Sequence, residues 1–507
     1  MDNVIKCFSE ICHKLDQRFS QYATGIGIFF SILIGAVITS VNVSLGPLAN
    51  LNDIGGWHNR FIFLILCGGA EVLVQILAVR LRPSSCGRML VRQLILVCGF
   101  HIAMLAINQK TYYYSMQIQP LIRAAETGGL SVLADIDTTL SIPLLSFLFL
   151  LTRIPIYDMY LVKLFCIVSY QVLVLLFVHS MEKTLPGLRT EALLLLSVIL
   201  PQMFLSVSCA AQADVFALLL IALALTLRIK GSPLLAAAIF GLSSSLCGVL
   251  LLAAPLFVFP NHDFLHLTPK GEVVGKKKQL TSTGAQVQTI FFGVAVFFYF
   301  IPMLPAILSG VPVGKAVISP LNALFGVPPY ASGSPNLMSL FPRAAAIEMP
   351  EAFLLRHLPE LDLETNASPF YSQAHFSMLM RSLALIGLAG YCSVTFYATK
   401  RIDGVRLEFI LTMAALFVVP GGSIALWLIC DLLALYLILT NRKMRIQACL
   451  LLFVTAAGSC YPVTEEILIR PAYLAMIMLV TILTSFTPQS QSERNCEYDH
   501  SENAFWR

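Results

Sequence analysis

Residues 25–45 read GIGIFFSILIGAVITSVNVSL. The run holds no Asp, Glu, Lys or Arg. At 1.5 Å per residue it covers about 30 Å as a helix, the thickness of a bilayer's hydrocarbon core. A lone segment in lipid must satisfy its backbone internally, so a helix is the form available to it. Residues 1–23 ahead of it are mixed-charge and amphipathic, and no convincing small-residue cleavage site follows the run. It therefore reads as a retained span, not as a cleavable signal peptide.

The rest of the chain repeats this chemistry. Of 507 residues, 12% are charged and 57% hydrophobic, with a mean hydropathy of +0.79. Soluble domains carry about 25% charged residues. The composition excludes a soluble enzyme, a disordered chain and a disulfide scaffold, and leaves a polytopic membrane protein. Thirteen cysteines include no Cys-x-x-Cys, and most, such as Cys67, Cys166, Cys247 and Cys449, lie inside apolar runs as packing residues. The net charge of +5 gives no reason to expect nucleic acid as a partner.

The fold class expected is all-α, a polytopic transmembrane helical protein with about fourteen crossings. They are read near 25–45, 60–79, 89–107, 140–153, 158–179, 213–228, 232–247, 249–260, 287–308, 378–399, 405–420, 423–440, 446–460 and 467–485. Basic residues cluster at Arg80–Arg92, Arg228–Lys230, Lys270–Lys278, Lys400–Arg406 and Arg442–Arg445. With both termini cytoplasmic, every cluster falls inside, as the positive-inside rule asks. A further crossing at 190–211 would invert all later loops. Pro201 interrupts that run, so it is read as a re-entrant pair of half-helices on the outer face.

The organisation that follows is an N-terminal transmembrane pair (1–88), a membrane module (89–308) with an outer loop at 108–139, a large outer loop (309–377), C-terminal transmembrane helices (378–485) and a polar cytoplasmic tail (486–507). The two long loops on one side point to work done outside.

Candidate chemistry sits in those outer parts. The first loop carries Arg123, Glu126, Asp135 and Asp137, with Gly128-Gly129 before the acidic end. Carboxylates beside a membrane surface can deprotonate an acceptor hydroxyl or bind a cation. Asp137 ahead of Thr138, Thr139 and an apolar run is equally a helix cap. Gln212-Ala213-Asp214 opens the next crossing after the half-helices. Asp214 suits a helix start, and a Gln-x-Asp there is also placed to bind a polar head group or sugar. Asn336, in the turn Gly333-Ser334-Pro335-Asn336-Leu337, offers an amide to sugar hydroxyls. His101, Lys163, Arg381, Glu408 and Asp431 lie within apolar runs, where ionisable groups are functional candidates or snorkel to an interface. No Walker A motif, selectivity filter or internal repeat is present in the sequence.

This order of features resembles the GT-C membrane glycosyltransferases, and within them bacterial relatives of the second mannosyltransferase of GPI-anchor synthesis. The similarity runs over roughly 105–440. Gly128-Gly129 resembles the Gly pair of the family's outer loop, and Asp137 the acidic residue that opens the following crossing. Ile154–Leu164, with Lys163, resembles the link to the third family helix. Ala211-Gln212-Ala213-Asp214 resembles Gly-Gln-x-Asp. Pro233–Pro255 resembles the helix pair that follows, and Ser334-Pro335-Asn336 the end of Asn-Ala-x-Asn. The chain departs from the pattern elsewhere. No carboxylate stands near Tyr112, alanines precede Gln212 where the family has Trp-Gly, and Pro420–Leu426 lacks the family's His-Glu-Arg.

The resemblance implies transfer of a sugar from a polyprenyl-phosphate donor to an extracytoplasmic glycan or lipid acceptor. Asp137 or Asp135 is then the general base, with Gln212, Asp214, Asn336 and Arg123 binding substrate. No cofactor is expected, and a divalent metal at the carboxylates stays open. The missing motifs motivate a second reading, an inactive relative that binds a lipid-linked glycan or a partner protein. A transporter of lipids or amphipathic solutes is the third. The short basic loops suit a bacterial cytoplasmic membrane, and the endoplasmic reticulum is the alternative.

Overall fold

The computed structural model describes residues 23–44, 56–81, 86–111, 114–134, 140–154, 158–182, 185, 188–229, 232–254, 280–321, 335–337, 404–419, 423–464 and 469–485. Among these residues the chain is helical, with no strand. Three helices, His58–Arg80, Asp158–Met181 and Ile290–Leu308, are long and apolar enough to cross a membrane. Their outward faces are apolar, as at Phe61, Ile65 and Phe297, which suits lipid as the solvent. The crossing expected at 378–399, most of the 309–377 loop and the tail 486–507 lie outside the described residues.

Two polar clusters fix the direction of the first helices. At one end, Arg92 near the start of α3 (Cys86–Met104) donates to the Leu81 carbonyl at 3.0 Å, just past α2 (Gly56–Arg80). The same guanidinium reaches Glu191 at 3.2 Å and Glu182 at 3.6 Å. Glu182 follows α6 (Asp158–Met181), and Glu191 opens α7 (Leu188–Val198). At the other end, the buried Lys163 ammonium, early in α6, donates to the carbonyls of Ala106 and Gln109 just past α3. Tyr160 donates to Asn108 there at 2.7 Å. So α3 runs from the Arg92 end to the Lys163 end, and α6 runs back.

The following segment returns along the whole length. Glu191 sits with Arg92, while Cys209, the last residue of a π-helix at Met203–Cys209, meets Gln109 and hence Lys163. The two halves are bent by 51°. A re-entrant hairpin was the expectation for 190–211. The contacts instead make it one bent segment whose ends lie at opposite ends of the bundle. Conversely, 140–153, expected to cross, forms α5 (Ile142–Leu151), whose ten residues cover only about 15 Å. The Ser141 hydroxyl donates to the Leu246 carbonyl, and Phe147 stacks on Phe216 at 5.3 Å, so α5 stays near the Lys163 end. The two departures compensate, and the helix that opens at Asp214 starts at the Lys163 end.

The bend has a local cause. Pro201 has no N–H, so the Ser197 carbonyl one turn earlier loses its usual helical donor. The Tyr170 hydroxyl from α6 supplies one at 2.6 Å. The Gln202 amide then donates to the Ile424 carbonyl, and Ser206 donates to Ser459 at 3.0 Å. These bonds tie the π-helix to the C-terminal half of the bundle, formed by Gly404–Val418, Leu428–Thr440, Arg445–Thr464 and Pro471–Ser485. Asp431 joins the same network, accepting from Thr455 at 2.9 Å, while Ser459 donates to the Thr455 carbonyl at 2.7 Å.

Small residues bring the middle helices close. α8 (Asp214–Ile229) and α9 (Pro233–Leu246) meet through Ser243, which donates to the Ala217 carbonyl at 2.9 Å. A Cβ at Gly241 would lie 2.1 Å from the Ala295 carbonyl oxygen of α10 (Leu280–Phe300), so only glycine allows that approach.

Two outcomes follow for stability in detergent. Tyr170→Phe leaves the Ser197 carbonyl buried without its side-chain donor and is expected to cost about 1–3 kcal/mol. Glu191→Gln strips the buried Arg92 of its closest carboxylate, with an expected cost of about 3–5 kcal/mol. Thermal unfolding of each variant beside wild type reads both, and a loss for Tyr170→Phe below a few tenths of a kcal/mol contradicts the first account.

Candidate functional site

The turn between the π-helix and α8 holds the Gln-x-Asp pair. The Ala210 N–H donates to the Leu205 carbonyl at 2.9 Å, and the Gln212 N–H to the Ser206 carbonyl at 3.1 Å, closing the wide π turn. Between them Ala211 takes φ +57°, the left-handed region. A side chain there costs about 1–2 kcal/mol, which is why glycine usually fills such positions. The backbone of this turn therefore has the conformation that a glycine before Gln212 would favour. Strained residues and π-helices both concentrate at functional sites.

Gln212 is fully buried, and neither its amide oxygen nor its amide nitrogen has a hydrogen-bond partner among the described residues. Native cores rarely leave both ends of an amide unmated. Asp214, the first residue of α8, is buried as well. Its carboxylate accepts from the Ser423 hydroxyl. The Ser423 oxygen in turn accepts from the Ala425 N–H at 3.2 Å, capping a short 3-10 helix at Ile424–Trp427. The helix start adds its dipole to hold Asp214. Cys166 and Cys247 lie near the same carboxylate. The expected helix-start role of Asp214 and the binding role thus occupy one geometry.

The other described site residues sit on separate segments. Arg123 is exposed on α4 (Gln119–Gly128), an amphipathic helix whose Ile122 and Ala125 are buried. Asn336 is fully buried in the short described stretch 335–337, and Leu337 beside it packs on the core. Asp135 and Asp137 lie outside the described residues. Lys315 reaches the edge of their stretch, donating to the Ala134 carbonyl at 2.7 Å. Gln212 and Asp214 are brought together in one turn, and neither Arg123 nor Asn336 shares an element with them.

Lys163 does not snorkel. It is fully buried and spends its ammonium on the Ala106 and Gln109 carbonyls just past α3, where a cation complements the helix dipole. Sequence reasoning missed Gln202 and Ser423, polar residues inside or beside apolar runs. It also missed Glu71, a lone carboxylate in the apolar run 60–79, which was signal enough. Among the described residues no group of three or more His, Cys, Asp or Glu is arranged to hold a metal ion. No family model, curated protein or solved structure matches the chain.

Relieving the left-handed turn gives a direct check. Ala211→Gly is expected to be neutral or to stabilise by up to about 1 kcal/mol, whereas Ala211→Val, β-branched, is expected to destabilise by more than that. Melting temperatures that rank Val above Gly contradict the backbone assignment.

Proposed function

We propose that this chain is a membrane glycosyltransferase of GT-C type that moves a sugar from a polyprenyl-phosphate donor to a glycan or lipid acceptor outside the membrane. The observation that carries the reading is the unmated, buried Gln212 amide, one residue past the left-handed Ala211 and two before the buried Asp214. A rigid turn with free amide valences is suited to a ligand rich in hydroxyls. Two further arrangements support it. The Ser423–Trp427 segment, where the family carries its late outer motif, packs at this turn through Ser423 and Ile424. Lys315 stands at the edge of the acidic stretch.

In this mechanism Asp137, or Asp135, takes the proton of the acceptor hydroxyl. The hydroxyl oxygen attacks the anomeric carbon, the bond to the lipid phosphate breaks with inversion, and the phosphate leaves as the anion. Gln212, Asp214 and Asn336 hold sugar hydroxyls, and Arg123 or Lys315 stabilises the departing charge. The topology proposed with it has about fourteen crossings, both termini cytoplasmic, in a bacterial cytoplasmic membrane. Arg92, Arg228 and Arg442 all fall toward the end of the bundle opposite Lys163, in keeping with that orientation.

One observation favours the second reading, an inactive relative that binds a lipid-linked glycan. Ser423 stands at Asp214 in a segment without His, Glu or Arg, and Lys163, a buried cation on α6, is committed to carbonyls.

Single-turnover transfer separates the two. Purified protein in nanodiscs is offered radiolabelled polyprenyl-phosphate sugars and membrane-extract acceptors, with Asp137→Asn, Asp214→Asn and Gln212→Ala beside wild type. Transfer by wild type, lowered about 100-fold or more by Asp137→Asn, is the expected result. Transfer that survives Asp137→Asn removes that base assignment. Saturable binding without transfer selects the second reading. Neither binding nor transfer ends both.

A further inference from the structure

Several segments meet at the bend, and each brings polar side chains into the apolar interior. They are Tyr170 of α6, Ser197 of α7, Ser206 of the π-helix, Asp431 of the helix Leu428–Thr440, and Thr455 and Ser459 of the helix Arg445–Thr464. All of these side chains are fully buried. Asp431 is the carboxylate among them, and the Tyr170 phenol is close enough to interact with it. The hydroxyl protons leave that carboxylate short of donors. Tyr170 gives its proton to the Ser197 carbonyl at 2.6 Å, Ser197 to the Leu193 carbonyl at 2.8 Å, and Ser459 to the Thr455 carbonyl at 2.7 Å. Ser206 gives its own to Ser459 at 3.0 Å. Of these hydroxyls only that of Thr455 is left, 2.9 Å from Asp431 Oδ1. Its single proton is shared with the Leu451 and Leu452 carbonyls at 3.1 and 3.2 Å. Asp431 Oδ2 has no hydrogen-bond partner among the described residues.

Other buried carboxylates of the chain are answered differently. Glu191 is stapled to Arg92 by two N–H groups. Glu71 of α2, packed under Gly35 of α1 (Ala23–Ser44), has the His101 imidazole at 3.5 Å. Asp214 has Ser423 and the start of α8. Asp431 has no cationic partner among the described residues. The helix dipole helps it little, because the 3-10 turn Ile424–Trp427 runs straight into its helix and carries the positive end back by more than a turn. An ionised carboxylate in an apolar interior is stable only when paired. Thr455 and Ser459 lie one turn apart on one face of their helix, and their oxygens keep lone pairs once their protons are turned to carbonyls. Oxygen lone pairs beside a carboxylate are what a hard metal cation takes. Such an ion neutralises Asp431 and frees the Thr455 proton for the Leu451 carbonyl. One carboxylate supplies one charge, so a singly charged ion leaves the site neutral, whereas a divalent ion leaves positive charge buried. Breaks in membrane helices are places where such ions are held.

We propose that Asp431, with the hydroxyl oxygens of Thr455 and Ser459, binds an alkali-metal ion beside the bend. The ion completes the polar network through which Ser206 of the π-helix is joined to the C-terminal helices. This site stands independently of the sugar-transfer reading.

Thermal unfolding of the full chain in nanodiscs tests it, in sodium, potassium and choline chloride at equal ionic strength. The expected result is a melting temperature about 2 °C or more higher in sodium or potassium than in choline, saturating with the metal ion. Asp431→Asn is expected to abolish the difference. Thr455→Val and Ser459→Ala are each expected to raise the half-saturating concentration about tenfold or more. If Asp431→Asn does not fold, those two variants and saturable binding of radiolabelled sodium or potassium to the wild type carry the test. Melting temperatures equal in all three salts overturn the proposal in favour of a protonated carboxyl. A response that survives Asp431→Asn, or a half-saturating concentration unmoved in both hydroxyl variants, places the ion elsewhere and overturns it too. So does a response to calcium chloride alone.

Discussion

A proline inside an apolar helix leaves one carbonyl without its helical donor, and lipid offers no substitute. Here a phenol adds to a long 3.5 Å bond from the Leu200 N–H. Tyr170 gives its hydroxyl to the Ser197 carbonyl, and the chain is free to bend by 51° and widen into a π-helix. The position of the candidate site follows from that bend. The wide turn closes with Ala211 left-handed, Gln212 buried and Asp214 at the head of α8. Gln202 and Ser206, also past the proline, bond to the C-terminal helices and join the two halves of the bundle. A carbonyl in α7 that loses its usual helical donor thus bears on the turn that follows the π-helix.

Much of this was legible in composition and apolar spacing. Helices and their approximate bounds follow from the need to shield the backbone in lipid. The site was legible in part. Gln212 and Asp214 were singled out from a polar pair at a helix start, and both are buried at that start. Asp135 and Asp137 fall outside the described residues, so the base role proposed for them is a matter for kinetics.

What the sequence concealed has a common origin, the difference between apolar length and direction. Pro201 marks a break but does not say whether the chain reverses there. The deciding contacts, Glu191 to Arg92 and Cys209 to Gln109, join residues about a hundred positions apart and leave no trace in local pattern. Likewise α5 is apolar enough to cross and is held back by Leu246, Ser319 and Phe216, partners from distant parts of the chain. Lys163 reads as a snorkelling residue until the end of α3 supplies carbonyls for it. Polar side chains in apolar runs declare that a partner exists, and only the fold names it.

The Arg92 staple has a consequence for biogenesis. Its two carboxylate partners come from the other side of α6, with Glu191 some 99 residues later in the chain. A ribosome adds roughly 5–20 residues per second, so Arg92 waits on the order of 5–20 s before Glu191 is even synthesised. During that interval α2 and α3 are inserted with an uncompensated guanidinium at their shared end. Water and lipid head groups at the bilayer surface must carry that charge until α6 and α7 arrive and draw it inward. Docking of the first helices against the rest is therefore a late event, timed by the appearance of one glutamate.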